Sequence, residues 1–151
     1  MKNKRLDISQ ADNSMDLEVL KVEIHHIVVN PDKRVYVVLS NEEGQNGIEL
    51  NPYEASVLSF VHKGLYKNSH IQTMHQLYVK TLEQFKSKIE AVSIESKVGD
   101  VIYCSVKIVD ENHNRFFTIV SMADGLILST IADCPIQVVS NVWNDMDPID
   151  D

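Results

Sequence analysis

Apolar and polar residues alternate from Leu20 onward: Leu20, Val22, Ile24, His26 and Val28 interleave with Lys21, Glu23, His25 and Ile27. A period of two puts successive side chains on opposite faces of a strand. "NPDK" at 30–33 reads as a turn, with Pro31 suited to its second position. "RVYVVLS" reads as the returning strand, "NEEGQNG" (41–47) as a polar loop and "IEL" (48–50) as a short third strand. Together they predict an antiparallel meander.

The period then lengthens. Asn51 suits a helix cap, Pro52 the first helical position and Gly64 the stop, with Ala55, Leu58, Val61 and Leu65 as the apolar stripe. A second helix is expected from about Ile71 to Ser87, its stripe being Met74, Leu77, Tyr78, Leu82 and Phe85. "KIEAVSIES", "VIYCSVKIV" and "RFFTIVS", separated by "KVGD" and "DENHN", predict a second meander. A short apolar helix over about Ala123–Ala132 ends before Pro135, and "IQVVS" is a last strand. Residues after Ser140 read as a fraying extension anchored by Trp143.

The expected fold class is therefore α+β: two antiparallel β-meanders with two helices between them and a third short helix before the last strand. The expected division is a flexible arm over 1–16, a folded domain over 17–143 and an acidic tail over 144–151.

Composition narrows the function classes. The 151 residues are 44% hydrophobic and 24% charged, as in an ordinary globular domain. No apolar run approaches the roughly 20 residues that span a bilayer, so no membrane partner is expected. The polar N-terminus lacks the apolar segment of a secretory signal, and a cytoplasmic location is the expectation. The net charge of −8 argues against non-specific nucleic-acid binding by the chain as a whole. Cys104 and Cys134 have no CxxC spacing and are expected as buried free thiols.

Standard phosphate-loop, nucleophile-elbow and zinc-protease motifs are absent. His25 and His26 fall on opposite faces of a regular strand, which would prevent them from chelating one ion. Glu54, in the first turn of its helix, favours the helix dipole. Asp124 stands fourth in Ser121-x-x-Asp124, a capping-box spacing. His75 lies near the start of the second helix.

"GIELNPYEASVLSFVHKG", "QTMHQLYVKTLEQF", "VIYCSVKIV" and "RFFTIVSMADGLILSTIADCPIQVVS" together resemble the bifunctional nuclease domain family, first catalogued as a domain of unknown function. The resemblance runs from about Glu18 to Trp143. That family carries Glu-Ala on its first helix, an Arg-Pro-x-Thr-His-Asp-Leu-like segment opening the second and Arg-Pro-Ser-Asp-Ala opening the third. Glu54-Ala55 matches the first, and His75 and Leu77 match the second. Its Arg, Pro, Thr and Asp are replaced by Ile71, Gln72, Met74 and Gln76. Asp124 matches the third, where Ser121, Met122 and Ala123 stand at the Arg, Pro and Ser positions and Gly125 replaces the Ala. Pro135-Ile136 matches the family's Pro-Ile.

Some members of the family act on DNA and RNA, so the resemblance implies phosphodiester hydrolysis at a degenerate site. Glu54, His75 and Asp124 would be catalytic. Glu54 and Asp124 would hold a divalent ion, Mg or Mn, and His75 would act as base or phosphate contact. Both motif arginines, the bidentate phosphate binders, are missing. The alternative is a non-catalytic binding or regulatory module of the same family, acting through oligomer or protein contacts. The expected partners are nucleic acid and further copies of the chain as a homo-oligomer.

Overall fold

The computed structural model describes residues 18–70 and 72–149, so the arm expected over 1–16 lies outside the described residues. The strands are β1 (Val19–Val29), β2 (Val35–Asn41), β3 (Gly44–Leu50), β4 (Ser87–Val98), β5 (Val101–Asp110), β6 (Arg115–Ser121), β7 (Ile136–Val139) and β8 (Asp147–Pro148). The helices are α1 (Pro52–His62), α2 (Met74–Gln84), α3 (Met122–Ala132) and α4 (Ser140–Asn144), with a 3-10 turn at Leu65–Asn68.

All eight strands form one sheet, in the order β6-β5-β4-β7-β1-β2-β3-β8. The two expected meanders, β1–β3 and β4–β6, are its halves. β7 joins them, antiparallel to β1 and parallel to β4, with Val92 opposite Ile136 and Ile94 opposite Val138. α3 is apolar around almost its whole circumference, and Met122, Ala123 and Gly125–Ser129 are all buried. Such a helix belongs inside a domain. It lies against β4 and β5, and α1 and α2 both pack on it. Val92, Ile94, Cys104 and Val106 from the sheet meet Leu126 and Leu128 from the helix in the central core.

Several boundaries differ from the expected ones, each for a local reason. "NEEGQNG" is not a loop, since β3 begins at Gly44 and the turn is only Glu42–Glu43. Asn41 Oδ1 accepts the Glu43 N–H at 2.8 Å, and Gly44 takes φ +143°, which a glycine tolerates. The polar GQNG run becomes strand because every residue in it pairs with β2. α2 is shorter than 71–87. It starts after Thr73, whose capping box with Gln76 is complete, and it stops where Lys86 turns left-handed at φ +57°.

The expected α2 stripe is corrected as well: Met74, Leu77, Tyr78 and Phe85 are exposed, while Gln76 is buried and Val79 and Leu82 pack on the core. Leu65 is likewise exposed. Residues after Ser140 do not fray as far as Ile149. Val142, Trp143 and Met146 are buried, and β8 pairs with β3.

α3 approaches the sheet closely at Gly125. A Cβ there would stand 2.8 Å from Cys104 Sγ and 3.1 Å from Val92 Cγ1. Gly125→Ala is therefore expected to destabilise the fold by about 1–3 kcal/mol through overpacking, although alanine favours a helix by about 1 kcal/mol. Trimming the facing residue as well, in Cys104→Ala/Gly125→Ala, should make the double change cheaper than the sum of the singles in urea unfolding. Strict additivity would show that the two residues do not share one space.

Candidate functional site

The first turns of the helices position all three candidate side chains. At α1, Asn51 Oδ1 accepts the Glu54 N–H at 2.8 Å and Glu54 Oε1 accepts the Asn51 N–H at 3.2 Å. Glu54 therefore closes a capping box. At α2, Thr73 Oγ1 accepts the Gln76 N–H at 3.1 Å, and Gln76 Oε1 accepts the Thr73 N–H at 2.8 Å. Gln76 stands where the resemblance expects Asp, and a glutamine has the reach this reciprocal cap requires. His75, between Met74 and Gln76, is thereby held in the first turn of α2.

At α3, Ser121 Oγ accepts the Asp124 N–H at 3.2 Å. The Asp124 carboxylate makes a different contact: Oδ1 lies 2.8 Å from His75 Nε2. Capping by Ser121 and pairing by Asp124 thus use different atoms and coexist. The acceptor oxygen favours the tautomer with its proton on Nε2, leaving Nδ1 as a proton acceptor. The His75 side chain is 19% exposed and that of Asp124 52%, so the pair sits at a boundary between core and solvent.

The pair stands at a cavity of about 420 Å³ whose other walls are Met74, Tyr78, Val106, Thr118, Val120 and Leu128. Among the described residues no lysine or arginine lines it. Its polar features are the His–Asp pair, the Thr118 hydroxyl and the Tyr78 phenol, together with the first turn of α2. Helix N-termini carry partial positive charge.

Glu54 is not part of this cavity. It lines a separate cleft of about 210 Å³ with Ile48, Asp100, Ser121, Met122 and Ala123. The structure thus brings two of the three candidates together, with the third facing another cleft. Glu54 Oε1 is committed to the Asn51 N–H and Asp124 Oδ1 to His75, so the two carboxylates do not make a shared cradle for a divalent ion. Among the described residues no three His, Cys, Asp or Glu side chains are grouped to hold a metal.

The strand argument for His25 and His26 is corrected. A bulge between Ile24 and His26 interrupts the pairing of β1 with β2. One extra residue breaks the alternation of faces, and the two imidazoles meet Nδ1 to Nδ1, their ring centroids 4.7 Å apart. Among the described residues no third ligand joins the two imidazoles, and they remain a local contact. A cue was present in the sequence, since Ile27 sits at an expected outward position among polar residues.

Neither thiol lines the His75 cavity. Burial pushes the Cys104 thiol up to about 12, reinforced by the negative charges of Glu95 and Asp124. It is neutral and non-nucleophilic at physiological pH. Cys134 is only half-buried, less than expected, and burial raises its thiol too. The ion pairs of the sheet lie elsewhere. The Glu90 carboxyl is held below the usual range by hydrogen bonds from Arg115 and then Lys107, at 3.2 and 3.3 Å.

Two comparisons bear on this arrangement. Residues 37–149 match the family model described as Bifunctional nuclease domain. A search of the curated proteins finds none that matches the chain.

Proposed function

The chain belongs to the bifunctional nuclease domain family, and from that premise we propose that it hydrolyses phosphodiester bonds through His75, with Asp124 as its positioning partner. The observation that carries this reading is the 2.8 Å contact between His75 Nε2 and Asp124 Oδ1 at the cavity. An imidazole whose Nε2–H is held by a carboxylate offers Nδ1 as a general base. Nδ1 would take the proton of the attacking water, or of a ribose 2′-hydroxyl in RNA. The departing oxygen would receive a proton from the resulting imidazolium or from solvent.

Negative charge developing on the phosphate oxygens would be met by the first turn of α2, not by the missing arginines. The apolar walls at Met74 and Tyr78 suit a nucleobase, so single strands are the expected substrate class. The reaction as proposed draws on His75, Asp124 and water, since Glu54 lines a separate cleft from Asp124.

The second reading, a non-catalytic binding or regulatory module, is favoured by one observation: among the described residues the cavity lining contains no cation to hold a phosphate. Cleavage of single- and double-stranded DNA and RNA by the purified full chain, with added Mg or Mn and with chelator, separates the two. Turnover that survives chelation and is lost in His75→Ala supports hydrolysis. Turnover equal in wild type, His75→Ala and Asp124→Ala would place any activity elsewhere and leave the binding module standing.

A further inference from the structure

We propose that β6 is a dimer interface, pairing antiparallel with β6 of a second copy about a two-fold axis at Thr118. Among the described residues the two edges of the sheet differ in kind. At one, β8 is two residues long and consists of Asp147 and Pro148. A short edge with a charge and a proline resists further strands. At the other, β6 runs unbroken for seven residues without a proline or a carboxylate. Its pairing with β5 has no bulge, whereas the β1–β2 and β4–β5 pairings do. Nothing in the strand turns this edge away from a partner.

The edge is apolar on both faces. Phe116 is 53% exposed, Phe117 65% and Ile119 64%. Phe116 lies opposite Ile108 and so shares the core side of the sheet, while Phe117 and Ile119 lie opposite Lys107 and Ser105 on the other side. Around the core side, Thr118 and Val120 share the His75 cavity with the exposed Met74 and Tyr78 of α2. The bare strand and the outer face of α2 thus meet at that cavity.

Charge selects a second copy as the occupant. β6 has no carboxylate and carries Arg115 as its one charge, which a two-fold at Thr118 sets against Ser121, so two copies of this edge meet without like charges opposed across the strands. An antiparallel strand is also complementary to itself, since a two-fold turns each free N–H toward a free C=O. The register that pairs all seven residues sets Phe116 against Val120 and Phe117 against Ile119, over about 24 Å of edge. Val120 lines the His75 cavity. The second copy's Phe116 would therefore stand beside that cavity and narrow its mouth. The interface does not depend on whether His75 hydrolyses anything.

Sedimentation equilibrium of the full chain over about 1–100 µM tests this. Wild type is expected to be a dimer in that range. Phe117→Lys alone and Ile119→Glu alone should each weaken it about tenfold or more, by removing the apolar pairs on either side of the axis. The double change Phe117→Lys/Ile119→Glu places opposite charges across the axis twice and should restore most of the affinity. Circular dichroism confirms that each variant folds; these side chains are exposed, so folding should be unaffected. A wild type that stays monomeric at 100 µM, or a dimer that the single changes leave intact, overturns the interface. Failure of the double change to recover affinity overturns the register.

Discussion

Replacing His75 with alanine is expected to lower cleavage by roughly two to four orders of magnitude, the usual worth of a positioned general base. Asp124→Asn should behave differently. Asparagine keeps the size of the side chain and can still accept from Nε2–H through its carbonyl, yet it lacks the charge that stabilises the imidazolium formed during turnover. Its amide can also rotate and donate, favouring the other tautomer. A loss smaller than that of His75→Ala, concentrated in kcat, is the expected signature. Because Asp124 is half exposed, the loss should also shrink at high salt as the charge is screened. Glu54→Gln should leave turnover unchanged and register only as a small loss of helix-cap stability, since Glu54 faces another cleft. If Glu54→Gln abolished turnover while His75→Ala did not, the assignment of the base would be wrong.

Trp143→Ala is expected to cost about 3–5 kcal/mol, the range for deleting a buried tryptophan. Trp143 is buried on α4, its carbonyl accepts the Asn46 side-chain N–H at 2.8 Å, and Lys97 reaches the neighbouring Asp145 at 3.2 Å. Just beyond, Ile149 covers Gly47, where a Cβ would lie 2.9 Å from Ile149 Cδ1. Losing the indole should release this whole segment, so that β3 amides exchange faster with solvent while β5 amides stay protected. Urea unfolding and hydrogen exchange measure the two effects. A change below about 1 kcal/mol would show that the segment contributes little to the fold.

The sequence shows most of this architecture because local rules and tertiary context agree along most of the chain. Asn51, Pro52 and Gly64 bracket α1 where capping and turn chemistry place them, and Gly64 takes the left-handed φ of +75° expected at a stop. Agreement fails where a distant segment decides the outcome. The first half of β3, 44–47, looks like a loop because its polar residues gain strand character only by pairing with β2 and β8. The outer stripe of α2 looks like a core face because apolar spacing alone does not say which side meets the sheet.

The site follows the same division. Proximity of His75 and Asp124, 49 positions apart, was implied only by family resemblance, since no local pattern links two helix starts. Glu54 sits in a matching motif yet is occupied by its own helix cap, so motif membership did not place it in the cavity. The bulge at Ile24/His26 left no mark beyond one apolar residue out of phase.

Position in the sheet and position in the chain part company at β7. It lies at the centre, between β4 and β1, yet residues 136–139 follow every other strand except β8. During synthesis both half-sheets emerge from the ribosome before the strand that unites them. Until it arrives, β1 and β4 each carry an open edge, and the nascent protein holds two templates on which a neighbouring chain could build. Ordering by distant partners also makes the closing step slow relative to either hairpin. The interval between the two half-sheets and their union is thus when this protein is most exposed to aggregation, and when a chaperone would have most to protect.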